Sequence, residues 1–231
     1  MSSLFFFPHL GLGDHIICHG IVVELLKDYD KIIMPVKKHN VKSVDFLCKN
    51  LNVSIVPVDN DSHAEQLARQ FSGKSVVLGW RGNDFLNNQS SFSKSFYEQA
   101  EVGFNKAWDN FKIQRDAERE KKLYQQLVTQ KPFAFVHDDT GRGLVAYQLH
   151  TSLPIVRPDH NLSETIFDYC HIIEKSQELH LIDSSFALLA DRLDISKAKR
   201  RTIHRYVRLD HSKGDQRNMP TEYKQEWEYI L

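Results

Sequence analysis

Residues 4–26 read LFFFPHLGLGDHIICHGIVVELL, a strand, a turn and a helix in succession. Leu4 to Phe7 is short, continuously apolar and ended by Pro8, the pattern of a strand buried on both faces. Gly11-Leu12-Gly13-Asp14 supplies the turn, because glycine lets a backbone bend tightly and approach a ligand. His15 to Leu26 continues as a helix with Ile16, Ile17, Ile21, Val22, Leu25 and Leu26 on its apolar side. The alternation goes on beyond this segment. Strands are expected at Lys31 to Val36, Val53 to Val58 and Ser75 to Leu78, and helices at Val41 to Lys49 and Ala64 to Phe71. Parallel strands need crossovers, which such helices provide, so this half reads as a Rossmann-like α/β unit.

Asn83 to Ser95 is polar and reads as a loop, and the aromatic-rich Phe96 to Phe111 is expected to pack between units. A charged helix opens at Arg115 to Lys122 and runs to about Thr129; its mixed-sign spacing predicts a solvated face. A second alternation follows, with strands at Phe133 to His137, Pro154 to Val156, Glu178 to Ile182 and Thr202 to Val207. Its helices are expected at Leu162 to Ser176, Ser185 to Leu193 and Thr221 to Leu231. The element order of the first half thus recurs in the second. The fold class is α/β: two small Rossmann-like domains facing a cleft, residues 1–110 and 111–231, with the boundary inside 96–131.

Composition narrows the function classes. The 231 residues carry thirty basic and thirty acidic side chains, a zero balance that argues against coating nucleic acid. Hydrophobic residues at 41% and charged residues at 26% are those of an ordinary globular protein. Cys18, Cys48 and Cys170 lie far apart and form no Cys-x-x-Cys pair, which excludes a disulfide framework and points to a reducing compartment. The four-residue apolar run at Leu4 to Phe7 has no basic flank and does not read as a signal peptide. No stretch approaches the roughly 18 apolar residues of a membrane span. A cytoplasmic protein without a transmembrane segment is expected, with peripheral membrane contact left open.

Three strand-end motifs could carry chemistry. In the first, GLGDHIICHG (11–20), Asp14 falls where open α/β sheets bind ligands, and could serve as a general base or as a helix cap. The segment lacks the third glycine of a dinucleotide fingerprint and the lysine of a P-loop. His15 and His19, four apart, have metal-ligand spacing but no third ligand nearby. In the second, HDDTGRG (137–143), Arg142 suits a phosphate, while Asp138 and Asp139 could hold a divalent ion or simply form a turn. In the third, LIDSSFALLAD (181–191), hydroxyls and backbone N–H groups converge at Asp183-Ser184-Ser185, as a diphosphate site or a serine cap. Arg81, after the fourth strand, is a candidate acceptor or phosphate contact, or else a plain surface arginine. The basic run Lys197 to Arg208 either guides anions by its field or is plain solvated surface. Trp108 reads as packing and Trp227 as an anchor for the C-terminal residues.

Together these motifs resemble GT-B glycosyltransferases, particularly the heptosyltransferase-like group of family 9. Gly11-Leu12-Gly13-Asp14 is similar to that group's first turn, and Asp183-Ser184-Ser185-Phe186-Ala187 to its donor motif, with Ser185 for glycine and Leu188 for histidine. The resemblance implies transfer of a sugar from a nucleotide-sugar donor to a glycan hydroxyl, without cofactor or metal. Asp14 would be the general base, and His137, Gly141, Arg142, Asp183, Ser184 and Ser185 would bind the donor. Gly11, Gly13, His15 and Arg81 would face the acceptor. The rivals are a nucleotide-binding module without turnover and a metal-dependent hydrolase using His137, Asp138 and Asp139.

Overall fold

The structure is a computed structural model and describes residues 2–79, 91–139, 145–146, 149–204 and 221–230. The chain divides into two compact units, Met1–Gln114 and Arg115–Leu231.

In the first unit four parallel strands, β1 (Ser3–Phe7), β2 (Lys31–Lys37), β3 (Val53–Val58) and β4 (Lys74–Val77), lie in the order β3-β2-β1-β4. β1 is central, so both of its faces are covered and Leu4, Phe5, Phe6 and Phe7 are all buried. Side chains alternate across a strand, which turns Phe5 and Phe7 to one face. There they meet Leu10, Val58 and Ala64, with Leu67, Ala68 and Phe71 from α3 (Asp61–Gln70) and its end packed alongside. α1 (Leu12–Leu25) follows β1, and α2 (Val41–Leu47) links β2 to β3.

α1 is buried without a break from His15 to Val22. The reason lies in α4 (Phe92–Gln99) and α5 (Lys106–Asp109), which pack over it. Tyr97 Oη donates to the Ile17 carbonyl at 2.7 Å, and His19 meets Phe111 edge-on at 5.5 Å. Gly20 is required by this closeness, since a Cβ there would stand 2.2 Å from the Lys106 carbonyl oxygen. The aromatic segment 96–111 therefore packs on α1 inside the first unit. α4 also corrects the end of the loop expected from Asn83 to Ser95, since residues 92–95 are helical, while 83–90 lie outside the described residues. Ser91 caps it by accepting the Lys94 N–H at 3.3 Å, and Phe96 and Tyr97 anchor it in the core.

The second unit is a five-stranded parallel sheet in the order β6-β5-β7-β8-β9. Its strands are β5 (Ala134–His137), β6 (Ile155–Val156), β7 (Glu178–Ile182), β8 (Arg200–His204) and β9 (Glu228–Ile230). The helices are α6 (Ala117–Leu127), α7 (Cys170–Lys175) and α8 (Ser185–Ala190). Phe135, Tyr169 and Phe186 form a ring cluster with centroids 5.4–6.1 Å apart.

Three local expectations are corrected here. The helix expected from Leu162 is α-helical only over Cys170–Lys175, after a 3₁₀ turn at Ile166–Tyr169. Asp168 accepts the N–H groups of Glu164 and Thr165, so a cap sits inside the expected helix. The charged helix is not simply solvated. Glu120 is 3% exposed and is held by Arg115, which also reaches Glu174 at 2.6 Å, while Arg119 contacts Asp168 at 2.8 Å. Finally, residues 221–227 are not helical and β9 extends the sheet at its edge. Asp191 is the cause: it accepts the N–H groups of Lys224 and Gln225, each at 2.9 Å, and the Trp227 indole N–H at 3.2 Å.

Candidate active site

In each unit the side chains of interest gather where parallel strands end, because there the chain leaves the sheet for a helix and backbone N–H groups point outward. At the end of β1 the chain runs through Pro8, His9 and Leu10 to Gly11, the cap of α1. Asn40 steadies this turn by donating to the Leu10 carbonyl at 3.2 Å. The Asp14 carboxylate folds back so that Oδ2 accepts the Gly11 N–H at 2.9 Å. Gly11 makes room for it: a Cβ there would stand 2.7 Å from that oxygen. The N-cap is therefore Gly11 and not Asp14, which stands in the helix's first turn and holds the cap residue's N–H. Asp14 uses Oδ2 alone for this, and among the described residues Oδ1 has no partner.

The same Oδ2 lies 3.5 Å from His9 Nδ1, with the two side chains 13% and 38% exposed. The contact with Asp14 raises the His9 pKa above 6.5 against an opposing burial effect; Asp61 adds to the rise and Lys37 opposes it. Lys37 and Asp61 are themselves 3.6 Å apart. Behind His9 comes Gly79, just past β4, whose φ of +130° suits glycine. A Cβ there would stand 3.2 Å from the His9 ring. His9 and Gly79 were not singled out from the sequence. The strand-end position of His9 was the available signal, but its meeting with Asp14 is visible only in three dimensions.

Gly13 sits in the first turn of α1, half-buried. His15 is 2% exposed, with both ring nitrogens unpartnered among the described residues. Burial pushes its pKa down to about 4. Its folded pKa lies below the unfolded value near 6.5, so the unfolded chain takes up a proton first as the medium is acidified. Wild-type stability therefore falls between about pH 6.5 and about pH 4 on account of this residue, while His15→Leu escapes that loss. In urea titrations the Leu variant is expected to gain about 2 kcal/mol on wild type between about pH 7.5 and about pH 5. An equal difference at both pH values would show His15 titrating as an exposed imidazole does. Arg81 lies outside the described residues.

In the second unit β5 and β7 run side by side, with His137 paired to Leu181. His137 Nδ1 lies 3.1 Å from Ser184 Oγ, and its ring rests on Phe186 with centroids 4.3 Å apart. Ser184 is the cap residue of α8, yet its side chain makes no cap hydrogen bond and turns to His137 instead. Ser185 follows as the first helical residue, half-buried. Asp183 Oδ1 accepts the Tyr223 hydroxyl at 2.5 Å, and burial together with this carboxylate raises the tyrosine pKa well above its ordinary value. Four of the donor-side residues named from the sequence, His137, Asp183, Ser184 and Ser185, thus stand at neighbouring strand ends. Gly141 and Arg142 lie outside the described residues.

The metal-hydrolase reading meets an obstacle in Asp138. Its Oδ1 accepts the Ala146 N–H at 2.6 Å and its Oδ2 holds Arg157 at 3.0 Å. Among the described residues no three His, Cys, Asp or Glu side chains are grouped to hold a metal ion. The basic run is engaged as well. Arg200 binds Glu228 at 3.2 Å and the His150 carbonyl at 2.8 Å, and Arg201 donates to the carbonyls of Ala198 and Ile195. Residues 205–208 of that run lie outside the described residues. Among the described residues no helix is long and apolar enough to cross a membrane.

No protein-family model and no curated protein matches the sequence. Among solved structures the chain is similar to a glycosyl transferase of family 9 from Veillonella parvula. The TM-score is 0.50 at 11% identity, over 88% of this chain and 80% of that one. The fold is GT-B-like. A second similar structure is TibC, an iron-containing dodecameric glycosyltransferase from enterotoxigenic E. coli, with TM-score 0.46 and 10% identity. That match takes in 90% of this chain and 63% of the other. Successive parallel α/β units are what the sequence pattern implied, and a GT-B-like fold is what the family resemblance implied.

Proposed function

We propose that this chain is a glycosyltransferase moving a sugar from a nucleotide-sugar donor to a glycan hydroxyl, without a metal ion. The observation that carries the reading is Asp14: a carboxylate at the end of the central strand of a GT-B-like fold, held through Oδ2 with Oδ1 left over. As the acceptor oxygen attacks the anomeric carbon, Asp14 takes its proton. The C–O bond to the diphosphate breaks and its electron pair leaves with the nucleotide. His137, Ser184 and Ser185, with the N–H groups at the start of α8 and with Gly141 and Arg142 of the 137–143 motif, stabilise the charge that develops there. Asp183, braced by Tyr223, fixes the approach to that helix. Gly11, Gly13, His15 and Arg81 belong on the acceptor side, where His15 would act from beneath the surface as a neutral group.

The test is a thermal-shift screen of the whole chain against UDP, GDP, ADP and CMP and their sugar conjugates, with and without EDTA, followed by transfer assays on glycans. One nucleotide diphosphate is expected to raise the melting temperature in the presence of chelator and to define the donor class. Binding without transfer to any glycan would favour the nucleotide-binding module instead. A shift that appears only with added metal would favour the hydrolase.

A further inference from the structure

The imidazole beside Asp14 has no part in the transfer as proposed so far, yet its placement is built into the fold. We infer that His9 is the proton sink behind Asp14, a positioning residue that receives on Nδ1 the proton Asp14 draws from the acceptor hydroxyl. The inference rests on the reading of this chain as a sugar transferase with Asp14 as its base.

The geometry supplies the route. Oδ1 of Asp14 is the oxygen without a partner among the described residues, and Oδ2 is the oxygen that faces the imidazole at 3.5 Å. One carboxylate can therefore touch a hydroxyl on one side and an imidazole on the other. Behind the ring lies Gly79, which carries no Cβ to crowd it. The Gly79 N–H is itself fixed by Gln99 Oε1 at 3.0 Å. The outer part of the ring reaches solvent, the side chain being 38% exposed, so a proton collected there returns to water.

The charges around the ring favour this use. Asp14 and Asp61 stabilise the imidazolium; Lys37 and partial burial work against it, with a net upward shift. His15, on the next turn, is kept neutral by burial and does not compete for the proton. A lone aspartic acid has a pKa near 4 and would hold a transferred proton weakly at neutral pH. The imidazole holds it better, and in the tautomer bearing hydrogen on Nε2 its Nδ1 is free to accept. The step balances: the acceptor O–H bond breaks as its oxygen bonds the anomeric carbon, and the old bond's electrons leave with the nucleotide diphosphate. Asp14 takes that proton on Oδ1, and the carboxyl group then turns about its Cβ–Cγ bond to hand it to His9 Nδ1.

The experiment is the pH profile of kcat/KM for wild type and His9→Asn, using the full chain with the nucleotide sugar found by the thermal-shift screen. Asparagine keeps an amide near the position of Nδ1 but takes up no proton. Wild-type activity is expected to fall as the pH drops through an ionisation above 6.5. His9→Asn is expected to lose that limb and to be about tenfold slower near neutral pH, with melting temperature and nucleotide shift unchanged. A wild-type profile in the variant overturns this inference alone. Failure of the wild-type chain to transfer from any of the UDP, GDP, ADP and CMP sugars overturns the transferase reading, and this inference with it. Should His9→Asn fail to fold, an NMR titration of the His9 ring in Asp14→Asn replaces it. A ring pKa that drops on losing the carboxylate supports the pair, and an unmoved one overturns it.

Discussion

Asp14→Asn is expected to slow sugar transfer by about a hundredfold or more while leaving the nucleotide-induced rise in melting temperature intact. The two effects separate because Asp14 has two tasks. As a cap it accepts the Gly11 N–H through Oδ2, and an asparagine carbonyl oxygen can do the same. As a base it must take up a proton, and an amide has no basicity to offer. Asp14→Ala provides the contrast: it loses both tasks and is expected to melt lower as well, by about 1 kcal/mol of lost capping. Steady-state release of the nucleotide diphosphate, measured with a saturating glycan acceptor, reads the chemical step. The thermal shift reads donor binding separately. Transfer at the wild-type rate in Asp14→Asn would leave the carboxylate a cap and nothing more.

How far the sequence alone reaches depends on where each signal originates. β1 is legible because a central parallel strand must be apolar on both faces, and LFFF has no other good explanation in a chain of this composition. β5 is legible for the same reason, with Ala134, Phe135 and Val136 all buried. β9 is not, because the letters of 221–231 space their aromatic and apolar residues as a helix would. What overrides that pattern is a single buried side chain far off in the sequence: Asp191 takes the backbone N–H groups of Lys224 and Gln225, and β8 offers an edge to pair with. Glu120 escapes a surface reading in the same way, since its partner Arg115 stands just ahead of the helix and ties it to Glu174. The candidate sites divide along the same line. Asp14, His137 and Ser184 are candidates by the rule that ligands gather at the carboxyl ends of parallel strands. Contacts between residues remote in sequence, such as the one joining His137 to Ser184, follow from no local pattern. His9 is not legible in the sequence, because a histidine after a proline carries no signature until the turn brings it to Asp14.

Asp191→Ala is expected to release residues 221–230 and to lower the stability of the second unit by about 3–5 kcal/mol. The wild-type carboxylate is 2% exposed and satisfies two backbone N–H groups and the Trp227 indole at once. Without it, keeping the segment docked would leave three donors unsatisfied, each at about 1–3 kcal/mol when buried. Undocking hydrates those donors but exposes Trp227, now 9% exposed, and unpairs β9 from β8. Either course is costly, and undocking is the smaller loss because water satisfies every freed donor. Faster amide exchange at 224, 225 and 228–230, with earlier protease cleavage there, would report the release. The same change reaches the candidate donor side, because Tyr223 lies in this segment and donates to Asp183. Asp191→Ala is therefore expected to weaken nucleotide binding as well, whereas Tyr223→Phe should weaken it with the segment still docked. Release of the segment with undiminished nucleotide affinity would separate Asp183 from donor binding and leave it a partner of the C-terminal strand alone.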